Sequence, residues 1–141
     1  IARFPDGLRT GEAGWTTAGQ LQARWVIHAV GPNYEAGEKD RSLLESCYRQ
    51  ALTVADELGA RSVAFPLISA GAYGWPVNDA IEVALETISR TRSHVDVVRL
   101  VSFSEATHRR VRAQILMQFP PETDPRPVGQ LFDRAPYRWH F

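Results

Sequence analysis

The sequence predicts an α/β fold, a three-layer α/β/α sandwich around a mostly parallel, mixed central sheet. Two observations carry this expectation. Strand-like and helix-like stretches alternate, in the order strand, helix, strand, helix, strand, helix, between Arg24 and about Met117. The strand-like stretches are short and apolar on both faces, as in strands covered on both sides. Such alternation implies parallel central strands joined by right-handed crossovers.

Residues 1–20 carry turn signals, "FPDG" and "RTGEAG", around a short predicted strand from Ala13 to Thr17. "RWVIHAVGP" predicts a strand over Arg24–Val30, closed by Gly31 and Pro32, and "NYEAGEKD" follows as a polar loop. Ser42-Leu43-Leu44-Glu45 has capping-box spacing, in which Ser and Glu satisfy exposed backbone donors at a helix start. Leu44, Tyr48, Leu52, Ala55 and Leu58 then recur every three or four residues on one face, and Gly59 is a natural C-terminal stop. "RSVAFPLI" predicts a short buried strand. Pro76 sits where the first turn of a helix tolerates it, and Val77, Ile81, Ala84, Leu85 and Ile88 form the next apolar face. "HVDVVRLVSF" predicts a third buried strand, with Ser104 as cap of a helix that Pro120-Pro121 stops. The division expected is one α/β domain over 1–119 and a proline-rich tail over 120–141, wrapping the domain or leading into something further.

Composition narrows the function classes. The 141 residues suit one domain, and 44% apolar content suits a packed core. Sixteen basic and sixteen acidic residues cancel, which argues against duplex nucleic acid or an anionic membrane as partner. No apolar run is long enough to span a bilayer, and the single cysteine, Cys47, forms no internal disulfide. The expectation is a soluble, cytoplasmic protein.

The chemistry concentrates in "FPLISAGAYGWP". The segment leaves a strand and enters a helix, where free backbone N–H groups and the helix dipole favour an anion. Gly71 and Gly74 allow close approach to a ligand, Ser69 offers a hydroxyl, and Tyr73 and Trp75 are aromatics suited to a sugar or base. A tight turn built for geometry alone reads the same way. Two other phosphate loops fit poorly. A Walker A loop needs lysine before Ser or Thr, and Lys39 is the only lysine; the dinucleotide fingerprint needs glycine where Ser69 stands.

These residues resemble the macrodomains, a family that binds ADP-ribose. "RWVIHAVGPNY" is similar to the family's V-I-H-x-V-G-P strand, "LLESCYRQALTVADELGARSVAFPLISAGAYGWP" to the helix, strand and phosphate loop after it, and "RTGEAGWTT" to its T-G-E-A strand. The resemblance runs from about Phe4 to about Met117. It implies that backbone amides of Gly71, Ala72 and Tyr73 face a diphosphate, with Ser69 and Ala70 shaping the loop's entry and Gly74 among the ligand-binding residues. Tyr73 would lie beside the distal ribose and Phe103 would stack on adenine. Ala70 stands where the family often has threonine, and Ser104 replaces a common aspartate.

The resemblance implies a hydrolase parent, an ADP-ribosyl hydrolase or O-acetyl-ADP-ribose deacetylase. The family's N-A-A-N and G-G-G-V-D-G motifs, which position water and the distal ribose in hydrolytic members, do not precede "IARFPDG". The chain is therefore expected to be an N-terminally incomplete or degenerate macrodomain with no catalytic residue assigned. A non-catalytic ADP-ribose reader and an inert structural fragment are the alternatives. The expected ligand is ADP-ribose, a derivative or an ADP-ribosylated substrate, with no cofactor or metal, and an exposed sheet edge offers a route to oligomers.

Other candidates have structural readings. His28, among apolar neighbours, is expected in the core, and Cys47 as a packing residue. His108–Arg112 is expected as a solvated basic helix face, and Asp79, Glu82 and Glu86 as surface charges.

Overall fold

The computed structural model describes residues 7–118 and the backbone of 132–134 and 137–140. Strand β1 (Ala13–Thr17) pairs antiparallel with β2 (Trp25–Ala29). Helix α1 (Arg41–Leu58) follows, then β3 (Ser62–Pro66), α2 (Val77–Arg90), β4 (Val97–Val101) and α3 (Glu105–Gln118). Strands β5 (Phe132–Arg134) and β6 (Tyr137–His140) lie within the stretch read as a tail; residues 119–131 lie outside the described residues. The second sheet has the order β3-β4-β6-β5, with β3, β4 and β6 parallel and β5 antiparallel. The fold is thus α/β with a mixed sheet, as the alternation predicts.

The core forms where the helical stripes meet one face of β3 and β4. Leu44, Tyr48, Leu52 and Ala55 of α1, Ile81, Ala84, Leu85 and Ile88 of α2, and Val111 and Ile115 of α3 share one buried cluster with Phe65, Val98 and Leu100. On the opposite face Ala64, Arg99 and Val101 are exposed, so the described helices cover one side of this sheet. Asp56 near the end of α1 accepts from Ser93 Oγ at 2.6 Å and His94 N at 2.8 Å, tying α1 to the turn before β4.

Three local expectations change. Helix α1 is capped by Asp40, whose carboxylate accepts from Ser42 N at 3.0 Å and Ser42 Oγ at 2.6 Å, so Ser42 is already helical. A carboxylate two residues earlier outcompetes a hydroxyl because it is the stronger acceptor; the contact holds the Asp40 carboxyl below its ordinary pKa. Among the described residues β2 has no ladder to β3, because a crossover fixes handedness and not adjacency. His28 is exposed rather than in the core, and its Nε2 lies 2.9 Å from Thr16 Oγ1. In β2, Ile27 packs on the core while His28, one residue on, points to the other face.

Gly59 does end α1, in the left-handed conformation at φ 72°, and Ser104 does cap α3, its hydroxyl accepting from Thr107 N at 3.2 Å. Cys47 is fully buried, as expected, and its thiol points to Val30 O at 3.3 Å. Burial pushes that thiol up to about 11, against backbone hydrogen bonding that lowers it.

Candidate functional site

The carboxyl ends of β2, β3 and β4 converge on one loop. Beyond β2, a Cβ at Gly31 would overlap Ser69 Oγ and stand 2.7 Å from Ile68 Cγ2, so only glycine lets the two segments touch. Beyond β3, the amide of Ile68 donates to the Tyr48 hydroxyl at 3.0 Å. That hydroxyl is fully buried on α1, and burial raises its pKa well above the ordinary tyrosine value.

The loop then turns through Ser69, the one non-glycine with positive φ (66°) among the described residues. A side chain in that region is strained, and such strain persists where the surroundings fix it. Here Ser69 O accepts the amide of Trp75 at 2.9 Å, and Gly74 N donates to Gly71 O at 3.0 Å. The two bonds close a compact turn. Gly74 has φ 71°, and a Cβ there would meet the side chain of Glu35, with Oε1 at 2.8 Å. From the same side Glu35 N donates to Tyr73 O at 3.1 Å.

Among the described residues, the amide N–H groups of Gly71, Ala72 and Tyr73 donate to no protein acceptor. Three consecutive free donors just ahead of the N-terminus of α2 present positive partial charge to solvent. Gly71 and Ala72 are exposed and Tyr73 is 42% exposed, whereas Ser69 and Ala70 are half-buried. The Ser69 hydroxyl is buried without a hydrogen-bond partner, as is that of Ser102 at the end of β4. Phe103, 77% exposed, lies over Gly71, its ring 3.8 Å from where a Cβ would stand. All seven expected site residues, Ser69 to Gly74 and Phe103, therefore share one corner of the sheet.

Trp75 departs from its expected place. It is 3% exposed, so it packs inward rather than toward a sugar or base. Its ring meets Tyr34 edge-on at 5.2 Å, and its indole N–H donates to Asp79 Oδ2 at 2.8 Å. Sequence reasoning also missed Gly31 and Tyr48. A glycine closing an apolar strand and a tyrosine inside an apolar stripe were the available signals. Asp79 and Glu82 are surface charges as expected, 38% and 48% exposed, and both pair with Arg41 at 3.3 Å. Among the described residues no group of three or more His, Cys, Asp or Glu gathers to hold a metal, and no helix is long and apolar enough to cross a membrane.

This is an α/β domain with a glycine loop, open amides and an exposed aromatic at the carboxyl end of its sheet. The chain belongs to the Macro domain family, whose model matches residues 2–84. A macro domain-containing protein of Streptomyces coelicolor is 51% identical over 77% of this chain and 64% of its own length. An O-acetyl-ADP-ribose deacetylase of Salmonella gallinarum is 44% identical over 78% of this chain and 63% of its own. The Oceanobacillus iheyensis macrodomain solved with ADP superposes at TM-score 0.75, with 32% identity, over 82% of this chain and 65% of that one. A variant of it solved with ADPR superposes at TM-score 0.70, with 33% identity, over 79% and 61%. The chain thus spans less than two thirds of the length of these relatives.

Proposed function

We propose that this chain binds ADP-ribose, with the diphosphate on the amides of Gly71, Ala72 and Tyr73, Tyr73 beside the distal ribose, and adenine on Phe103. The observation that carries this reading is the row of three unengaged amides with an exposed aromatic ring over its first residue. The amides can hold a diphosphate without a basic side chain, because fixed N–H donors supply partial positive charge that needs no reorganisation. Phe103 offers a flat apolar face to a base. The names of the relatives, one a deacetylase of O-acetyl-ADP-ribose and one a macrodomain solved with ADPR, support the same ligand.

For the whole protein we propose hydrolysis of an ADP-ribosyl or acetyl-ADP-ribose bond, with water attacking near the distal ribose. Within this chain the loop contributes positioning and electrostatics and no covalent nucleophile. A non-catalytic reader uses the same site.

Calorimetric titration with ADP-ribose, with AMP and NAD as comparisons, tests the reading. Saturable binding of ADP-ribose is expected, with Gly71→Glu weakening it by at least about tenfold, since a carboxylate beside the diphosphate repels it. Absence of binding by a chain shown to be folded by circular dichroism contradicts it.

A further inference from the structure

We propose that Trp75, Asp79 and Arg41 form a positioning chain that sets the aim of the loop amides. The inference rests on the reading of Gly71–Tyr73 as the anion site, and it names residues that touch no ligand.

Trp75 is where the loop joins α2. Its amide closes the turn onto Ser69 O at 2.9 Å, so moving Trp75 opens the turn. Its indole is buried against Tyr34 and has a single polar atom, the Nε1 hydrogen, which goes to Asp79 Oδ2 at 2.8 Å in the first turn of α2. A buried indole N–H needs an acceptor, and an unpaired one is costly. Asp79 fixes the rotation of Trp75, and with it the angle at which the chain leaves the loop.

Asp79 is held in turn. Arg41, the first residue of α1, reaches Asp79 Oδ1 and Glu82 Oε1, each at 3.3 Å. Burial works against the Arg41 charge, but the carboxylates of Asp79, Glu82 and Glu86 outweigh it and raise its pKa. The guanidinium is therefore a permanent cation between the starts of α1 and α2. These ion pairs are more than a third exposed and individually weak. The two contacts use different oxygens of Asp79, Arg41 lying against Oδ1 while Oδ2 accepts from the indole. The indole bond is the strong link of the chain, and the ion pair ties Asp79 to the start of α1.

The test compares Asp79→Leu, which removes the acceptor, with Asp79→Asn, which keeps an oxygen for the indole. Trp75→Phe is a second variant that keeps an aromatic ring beside Tyr34 but loses the N–H together with part of the buried ring volume. The first readout is amide hydrogen exchange without ligand at Gly74 and Trp75, with Asp96, whose amide donates to Arg61 O, as a remote control. Asp79→Leu and Trp75→Phe are expected to speed exchange at Gly74 and Trp75 by about tenfold, leave Asp96 unchanged, and weaken ADP-ribose binding to a similar degree. Asp79→Asn is expected to restore most of the protection and affinity. Unchanged exchange at Gly74 and Trp75, equal speeding at Asp96, or equal damage by Asn and Leu overturns the inference. The exchange arm uses no ligand. A wild-type chain that fails to bind ADP-ribose therefore counts against the functional reading alone, while unchanged exchange beside intact binding counts against the positioning chain alone.

Discussion

The Tyr48 hydroxyl, fully buried on α1, accepts the amide hydrogen of Ile68 at 3.0 Å, one residue before the loop turns through Ser69. An α1 side chain thus holds the entry of a loop that follows β3. Tyr48→Phe keeps the ring, which packs on Phe65 at 5.3 Å, and strands a half-buried N–H. The expected cost is about 1–3 kcal/mol in urea unfolding, with faster exchange at Ile68. Unchanged stability would show that the amide finds another acceptor.

Alkaline pH should destabilise the fold. The Cys47 thiol has an ordinary pKa of 9.0, raised in the folded chain to about 11 by burial. Its contribution is complete below the unfolded value and is lost as pH rises through the folded one, because the unfolded thiol ionises first. Wild type should therefore lose stability between about pH 9 and about pH 11. Cys47→Ala should lose less over the same range in parallel denaturation series. Tyr48 is raised in the same direction and adds a further loss at higher pH.

Gly74→Ala should destabilise for two separable reasons. The backbone sits at φ 71°, and the new methyl meets the Glu35 side chain. Together these should cost about 1–3 kcal/mol. Glu35→Ala in the same chain should recover only the steric part, since truncating Glu35 leaves φ unchanged. Full recovery would show that the left-handed backbone carries no cost there.

Gly31→Ala has no positive φ to relieve, so its effect is packing alone. Its methyl would overlap Ser69 Oγ and crowd Ile68 Cγ2, pushing the end of β2 away from the loop. A loss of about 1–3 kcal/mol is expected, with weaker ADP-ribose binding, and Ser69→Gly in the same chain should restore part of the stability. A neutral Gly31→Ala would mean that the two segments separate freely.

The elements that were legible in the sequence are those set by local spacing. The α1 and α2 stripes, the Gly59 stop, the Ser104 cap and the loop between β3 and α2 all rest on neighbours within a few residues. What the sequence hid depends on contacts across space. Trp75 in a glycine loop looks ligand-facing until Tyr34 and Asp79 are known to enclose it. His28 looks buried in an apolar run, but only one face of its strand meets the core. The strands at 132–134 and 137–140 sit in a proline-rich stretch whose pairing with β4 is long-range. The site residues were read from loop chemistry and resemblance, while the residues that hold them in place belong to other elements and carried no motif.

The most direct measurement of the central claim is an ADP-ribose titration of this chain followed by two-dimensional NMR of its amide N–H and aromatic C–H groups. Binding at the loop predicts the largest, saturable shifts at the amides of Gly71, Ala72 and Tyr73, with ring protons of Phe103 moving together with them. Shifts confined to other parts of the fold, or none from a folded chain, would contradict it.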